Sequence, residues 1–181
     1  MKKKVAQLMI SLMSASIAPM VFAAPSPGTG TVTFNGELIE ETCTINTDDI
    51  DKVVVLPTVS TQSLSNAADT AGSTMFSITA SNCPASHTSI AAHFETTDMD
   101  PVTQNAINQA TANPASNVLV QLLQSDGTTA LPLGSTGDYV NLTGSGSSRG
   151  ATMNYGGQYY AVGQTTAGTV TAVVRYTLAY Q

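Results

Sequence analysis

Few side chains of this 181-residue sequence have the types and spacing that catalysis requires. The Gly-Ser-Ser-Arg-Gly segment at 146–150 matches the Gly-x-Ser-x-Gly pattern of a nucleophile elbow, in which a strained strand-to-helix turn exposes the serine. Here the pattern lies in a loop rich in Gly and Ser, without that context. The hydrolase order also needs a histidine after the serine, whereas His87 and His93 both precede it. We therefore interpret residues 144–150 as a loop.

The two histidines predict neither a triad nor a metal pair. His93, Asp126 and Ser148 follow the chain order of a chymotrypsin-type triad, but no local motif supports one. The spacing between His87 and His93 fits neither one face of a helix nor a zinc motif. We expect both histidines at the surface.

Acidic and aromatic clusters also favour structural roles. Asp48, Asp49 and Asp51 lack the glycine and terminal glutamate of a calcium loop, so a solvated turn is expected there. The same expectation holds for Asp98 and Asp100. Three tyrosines could form a ligand patch, but packing in the core or at a sheet edge is their more ordinary use; they are Tyr155, Tyr159 and Tyr160.

Composition excludes several classes of protein. Apolar residues make up 42% of the chain, too many for a disordered segment. Charged residues are only 10%, against about 25% in ordinary domains. The net charge of −6 argues against a nucleic-acid partner, which would require a basic surface. The sequence thus predicts one globular domain with an uncharged polar surface and no cofactor.

The N-terminus resembles an export signal. Three lysines at 2–4 precede an apolar stretch from Val5 to Phe22, and Val-Phe-Ala at 21–23 is a small-x-small cleavage pattern. We expect residues 1–23 to be removed, which leaves 158 of the 181 residues. The remaining chain has 3 basic and 12 acidic residues, a net charge of −9.

The two cysteines are most simply explained by one disulfide. Cys43 and Cys83 belong to a chain expected to enter an oxidising compartment, where free thiols are rare. A bond closing a loop of roughly 40 residues restrains the unfolded state by about 4 kcal/mol in the chain-entropy model. A redox role would usually show Cys-x-x-Cys spacing, which this sequence lacks.

Short strands, with few helices, are predicted for the rest of the chain. Apolar residues alternate with polar ones from Thr31 to Leu38, as in a half-buried strand. The apolar run 118–123 is followed by Ser-Asp-Gly, which is typical of a hairpin turn. Further strands are predicted at Val53–Leu56, Met75–Ala80 and Ile90–Phe94, and a loop or helical turn at 103–112. This spacing of strands and turns indicates a β-sandwich.

The C-terminal segment has the clearest alternation. After Gly168 one face carries the apolar set Val170, Ala172, Val174, Tyr176, Leu178 and Tyr180. A strand this apolar must be covered. Either the alternating N-terminal segment pairs with it in the same chain, or the N-terminal segment of one molecule completes the sheet of the next. Periodicity alone does not choose between the two.

An ordered set of motifs makes the chain resemble the chaperone–usher fimbrial subunits, or pilins, of Gram-negative bacteria, in particular the major pilins of the type 1, P and F17 kind. The motifs are GTVTFNG at 30–36 ahead of Cys43, VLPTVS at 55–60, FSI at 76–78 before Cys83, NVLVQLL at 117–123, LPL at 131–133, YYA at 159–161, Gly168 and the penultimate Tyr180. Together they extend over nearly the whole chain after residue 23.

The resemblance implies an all-β fold, an incomplete immunoglobulin-like sandwich of six strands whose seventh comes from another molecule. It divides the chain into a signal peptide (1–23), an N-terminal extension containing the donor strand (24–41) and a pilin domain (42–181). The donor residues would be Val32, Phe34, Gly36 and Leu38. The acceptor strand would present Gly168, Val170, Ala172, Val174, Tyr176, Leu178, Tyr180 and the terminal Gln181.

The resemblance also implies partners and a location. A periplasmic chaperone would lend the missing strand and hold the C-terminal carboxylate. An outer-membrane usher would then let the next subunit's extension replace it, in a non-enzymatic process. The product would be a cell-surface fimbria that serves adhesion. A minor or adaptor subunit, and a self-contained secreted β-sandwich, remain as alternatives.

Overall fold

A computed structural model of the protein describes residues 30–37 and 42–181. The chain divides between Leu38 and Ile39, so the two described parts belong to separate units. The expected signal peptide and Leu38 lie outside the described residues. Among the residues described, no helix has the length and apolar character needed to cross a membrane.

Residues 42–181 are built from β-strands joined by turns and very short helices. The strands are β1 (Thr44–Ile45), β2 (Thr70–Ser81), β3 (Ser89–Glu95), β4 (Ala106–Ile107), β5 (Val118–Leu123), β6 (Ala130–Leu131), β7 (Ser135–Thr136), β8 (Val140–Asn141), β9 (Ala151–Ala161) and β10 (Arg175–Tyr180). One α-helical turn, α1, spans Thr47–Ile50, and 3-10 turns span Thr61–Leu64 and Gly146–Ser148.

The strands form two antiparallel sheets. The first has the order β1-β2-β9-β5-β4, with β6 also paired to β5. The second has the order β10-β3-β7, with β8 also paired to β3. The β5–β6 hairpin turns at Ser125–Thr129, where the Asp126 carboxylate accepts hydrogen bonds from the Thr128 and Thr129 amides, both at 2.8 Å. Side-chain acceptance of this kind stabilises a tight turn.

The main core lies between the two sheets and is fixed by one tyrosine. Tyr155 is 1% exposed, and its ring meets that of Phe94 edge to face at 4.8 Å. Its hydroxyl accepts a hydrogen bond from the Ala92 amide of β3 at 2.9 Å, so one side chain links β9 to the opposite sheet. Burial raises the pKa of Tyr155 above its usual value. Face-to-face packing of this kind defines a β-sandwich.

The all-β expectation is therefore confirmed, together with the strands near 75–80, 90–94 and 118–123. The pilin resemblance implied six strands, whereas residues 42–181 contain ten. Five of these, β1, β4, β6, β7 and β8, are two-residue strands on loops and edges. The other five form the body of the two sheets.

Several strand predictions were wrong in extent. Residues 31–37 are fully exposed and form no strand, because no neighbouring strand satisfies their backbone groups. Residues 53–56 likewise lie in no strand. At the C-terminus only 175–180 form a strand, and residues 103–112 are largely the expected loop, interrupted by the two residues of β4.

Candidate functional site

Strand β10 is the edge of the smaller sheet. All six of its residues pair with β3, from Arg175 opposite Glu95 to Tyr180 opposite Ile90. Within 42–181, no strand pairs with the other edge of β10. The backbone groups along that edge are thus free to pair with a further strand.

The inward face of the C-terminal segment is only partly covered. Its apolar side chains pack against the main core yet stay half-buried, whereas Ile90 and Ala92 of the adjacent β3 are 0% exposed. The half-buried set is Ala172, Val174, Tyr176, Leu178 and Tyr180, and Val170 packs in the same way on a second, smaller cluster. The core is therefore closed over β3 and open over β10. We call this partly covered surface the open face.

Two residues that precede strand β2, Asp49 and Val59, lie next to the open face. Near one end, the Tyr176 hydroxyl donates to the main-chain oxygen of Asp49 at 2.6 Å. Near the other, Val59 and Val170 pack on the same small cluster. Between them Val53 and Val55 are 84% and 78% exposed and belong to no sheet. These two apolar side chains are thus left uncovered by the strands of residues 42–181.

A cavity of about 430 Å³ lies where the open face begins. Val59, Leu64, Val118, Tyr159 and Val170 supply its apolar walls. Its rim includes Gly168, where an added Cβ would lie only 2.4 Å from the Ala115 amide nitrogen and 2.6 Å from the Asn113 oxygen. Only glycine allows the backbone to approach so closely. The packing explains why a glycine precedes the C-terminal strand.

The far end of β10 is fastened by the disulfide-linked loop. The predicted Cys43–Cys83 disulfide is confirmed. The Cys43 amide donates to the Tyr180 hydroxyl at 3.1 Å, and the His87 ring packs on the Tyr180 ring at 4.6 Å. The Gln181 main-chain oxygen accepts from the Thr88 amide at 2.6 Å.

Arg149 holds this loop from the other side. Its guanidinium donates to the oxygens of Pro84 at 2.8 Å and His87 at 2.6 Å. No local pattern predicts this role, because Arg149 lies in the segment that resembled a nucleophile elbow. His87 itself is buried, so the expectation of a surface histidine was wrong for it. The His87 ring packs on Tyr180 with its Nε2 buried and without a hydrogen-bond partner among the described residues, while the main-chain oxygen of His87 accepts from Arg149.

The residues considered for catalysis do not assemble. Ser148 lies on an exposed 3-10 turn rather than at a strand-to-helix turn. His93 bonds to Thr136 through Nδ1 at 2.9 Å. The Asp126 carboxylate is occupied by Thr128 and Thr129, and hydrogen bonds from Thr129 first of all hold its pKa well below the usual range. No triad forms among them.

The acidic turns are better ordered than expected. Asp49 is 5% exposed, so it is not a solvated turn residue: its carboxylate accepts from Lys52 at 2.5 Å and from the Thr79 amide at 2.8 Å. Asp100 accepts from the amide and hydroxyl of Thr103, both at 2.7 Å. In the described part of the chain, no three His, Cys, Asp or Glu side chains form a group that could hold a metal.

The N-terminal residues predicted to form the donor strand contrast with β10. Val32 is 78% exposed and Phe34 is 92% exposed. A Cβ added to Gly36 would meet no atom within 4 Å. Alternating apolar side chains on an exposed stretch are typical of a segment that binds elsewhere.

Comparisons with known proteins point to one family. The model of the fimbrial protein family matches residues 32–181. The chain is 39% identical over 158 residues to the F17 fimbrial protein of Escherichia coli, covering 84% of this chain and 87% of the relative. It is 40% identical over 171 residues to the major fimbrial subunit SMF-1 of Stenotrophomonas maltophilia, covering 89% and 99%.

Solved structures agree on the fold. The P pilus rod subunit PapA matches with a TM-score of 0.59 at 16% identity, over 77% of this chain and 99% of that one. A subunit from a chaperone–usher pilus structure matches with the same TM-score at 19% identity, over 91% and 100%. These neighbours are pilins with an immunoglobulin-like fold, and the curated relatives are structural proteins rather than enzymes. The chain belongs to the fimbrial protein family, whose matched relatives are structural fimbrial subunits.

Proposed function

We propose that this subunit polymerises with its neighbours by donor-strand exchange. A periplasmic chaperone first covers the open face with one of its own strands and delivers the subunit to an outer-membrane usher. There the N-terminal extension of the next subunit replaces the chaperone strand. The product is a cell-surface fimbria that serves adhesion.

The open face is the observation that carries this proposal. A free sheet edge beside a half-buried apolar face invites aggregation unless a strand covers it. An added strand would satisfy the free backbone groups of β10 and bury the apolar side chains together. Both gains come from one event, which favours exchange of a whole strand over a side-by-side contact.

The exposed N-terminal stretch has the composition that such a strand requires. Val32, Phe34 and Leu38 would face the open face of the neighbour, and each buried side chain of this size contributes about 1.5–3 kcal/mol. Gly36 lies on the same face and would fit where the neighbour leaves no room for a side chain. The polar residues between them would face solvent.

Charge and symmetry agree with this pathway. The net charge of −9 expected after removal of residues 1–23 suits a chaperone with a basic cleft that also holds the C-terminal carboxylate. Because donor and acceptor are different surfaces, the contact is head to tail and generates a filament rather than a closed ring. Relatives named as major fimbrial subunits favour a place in the main filament over a minor or adaptor role.

Strand complementation tests the proposal directly. The mature chain is compared with a copy that carries residues 31–41 after Gln181 on a flexible linker. We expect the plain chain to polymerise or unfold readily and the extended copy to be a stable monomer by size-exclusion chromatography and urea unfolding. A control copy replaces Val32, Phe34 and Leu38 by Ser in the appended strand only, and should behave like the plain chain.

A plain chain that is stable without an added strand would contradict the proposal. If the plain chain is already a stable monomer and neither appended strand changes its unfolding midpoint, the sandwich is complete on its own. The subunit would then be a self-contained secreted β-sandwich, and donor-strand exchange would be excluded.

A further inference from the structure

Asn35 and Gly36 form an Asn-Gly pair within the exposed N-terminal stretch. It is the only Asn-Gly pair in the sequence. All of residues 30–37 are exposed and none lies in a helix or strand. Glycine adds no Cβ to hinder the approach of its own amide, and it adopts many backbone angles at little cost. This pair therefore has the chemistry and the freedom needed for spontaneous deamidation.

The reaction requires only water. The Gly36 amide nitrogen, after losing its proton to solvent, attacks the side-chain carbonyl carbon of Asn35. A bond forms between these two atoms, the bond from that carbon to Nδ2 breaks, and ammonia leaves. Water then opens the resulting five-membered imide at either carbonyl. One opening gives aspartate, and the other gives isoaspartate, in which the main chain runs through the former side chain.

The Asp126–Gly127 pair in the β5–β6 turn is an internal comparison. An Asp-Gly pair can close to the same imide, but here both reacting groups are occupied. The Gly127 amide donates to the Gln124 oxygen at 3.0 Å, and the Asp126 carboxylate accepts three hydrogen bonds from Thr128 and Thr129. The fold thus blocks the reaction at Gly127, whereas Asn35 and Gly36 are exposed and a Cβ built on Gly36 meets no atom within 4 Å.

We propose that Asn35 of the unassembled subunit is a site of spontaneous deamidation, and that isoaspartate at this position removes the subunit from assembly. The second part rests on the proposed function. In a paired strand the backbone of Asn35 is held extended, so the Gly36 nitrogen cannot reach the side-chain carbonyl. Assembly would therefore protect the site, and delay would expose it.

The product would damage the donor strand through its backbone. Isoaspartate lengthens the main chain by one methylene between Phe34 and Gly36. Strand pairing depends on a strict two-residue period, so residues beyond the insertion lose their register with those before it. Gly36 and Leu38 could not then fill the neighbour's open face together with Val32 and Phe34. Ordinary aspartate keeps the register and adds a charge only on the solvent side.

The experiment follows both peptides over time. Soluble subunit from periplasmic extracts and fibres sheared from the same cells are held at mildly alkaline pH and then digested. Peptide mass spectrometry and enzymatic methylation of isoaspartate report Asn35 and Asp126 separately. We expect Asn35 to convert in the soluble subunit and to persist in the fibre, while Asp126 stays unchanged in both. No conversion in the soluble subunit, or equal conversion in the fibre, would overturn the proposal.

Variants test the consequence for assembly. Asn35→Gln closes an imide far more slowly and should keep its assembly on ageing, whereas aged wild type should lose assembly in proportion to its isoaspartate content. Asn35→Asp, which has the charge without the extra methylene, should assemble like fresh wild type. Full assembly by converted wild type, or equal losses in Asn35→Gln, would contradict the proposal.

Failure of the proposed function would look different. If fresh subunits without residues 24–38 still formed fibres, donor-strand exchange would be wrong. Deamidation of Asn35 in the soluble wild-type chain is measured separately and does not depend on that result.

Discussion

Two stretches of this chain have the same alternating apolar pattern and opposite surroundings. At the C-terminus the alternating side chains rest on a core and are half-buried, from Ala172 to Tyr180. At the N-terminus Val32 and Phe34 are 78% and 92% exposed and lie in no strand. A period of two residues therefore identifies a segment that can be a strand, but it does not identify the sheet to which the strand belongs.

The difference follows from what each stretch can pair with. Strand β10 finds β3 beside it and pairs along all six of its residues. Residues 30–37 have no paired strand, so their backbone groups remain with water. The chain thus contains a free sheet edge along β10, and it also contains an alternating apolar stretch at 30–37 that is not paired with any strand of the described residues.

Removing the N-terminal stretch should have the largest effect. Deletion of residues 24–38 takes away the side chains that we propose to be donors but none of the core of 42–181. We expect complete loss of fibres by electron microscopy, together with normal recovery of soluble subunit bound to its chaperone. A matched control deletes residues 24–29 alone and should still form fibres. Normal fibres from the larger deletion would break the comparison.

Two phenylalanines give a matched pair for the next test. Phe94 is 3% exposed and lies against Tyr155 and Tyr176, so Phe94→Ala should lower the free energy of unfolding of the subunit by about 3–5 kcal/mol. Phe34 is exposed, so Phe34→Ala should change that value by less than about 0.5 kcal/mol. Urea unfolding of the strand-complemented monomer measures both free energies. This protein contains Phe34 twice, and only the copy in the native N-terminus is replaced.

In the fibre, by contrast, Phe34→Ala should be destabilising. Phe34→Ala removes a side chain that is buried only after exchange, so fibres should dissociate at a lower denaturant concentration than wild type. Equal dissociation midpoints for Phe34→Ala and wild-type fibres would show that Phe34 fills no neighbouring surface.

The sequence predicted those parts of the fold that repeat over many residues. The apolar alternation of 170–180 and the short apolar stretches at 90–94 and 118–123 were sufficient to place strands. Strand β9 was missed, although it pairs with both β2 and β5 at the centre of the larger sheet. Its two glycines, Gly156 and Gly157, and its scarcity of branched residues weaken the usual strand signal. The alternation of Met153 and Tyr155 with polar residues was the available clue.

Contacts between distant residues could not be read in the same way. Arg149 and His87 are 62 positions apart in the sequence, and only the fold brings the guanidinium to the loop carbonyls. The hydrogen bond from Tyr176 to Asp49 joins residues 127 positions apart. Such pairs depend on three-dimensional packing rather than on local pattern. The cavity beside Val170 has the same origin, because its walls come from segments that are far apart in the sequence.

Acid should have a smaller effect, which is to lower the stability of the pilin domain through Asp49. Burial of Asp49 raises the pKa of its carboxyl, but hydrogen bonds from Lys52 and Thr79 outweigh that effect and leave the pKa below the usual 3.8. The folded state therefore holds the proton less tightly than the unfolded state does. The stabilisation from Asp49 is present above pH 3.8 and is lost as the pH falls through the lowered value of the folded state.

Asp49→Asn should remove this dependence, with a loss of about 1 kcal/mol near neutral pH that shrinks in acid. The neutral amide still reaches the Thr79 amide but no longer pairs with Lys52. Unfolding midpoints of the strand-complemented monomer from neutral pH to about pH 2 measure the difference from wild type. Glu37→Gln, in the exposed stretch, is the matched control and should leave the profile unchanged. The main-chain oxygen of Asp49 also accepts a hydrogen bond from the Tyr176 hydroxyl. If the pH profiles of wild type and Asp49→Asn were equally flat, α1 would support the C-terminal strand through this backbone contact alone.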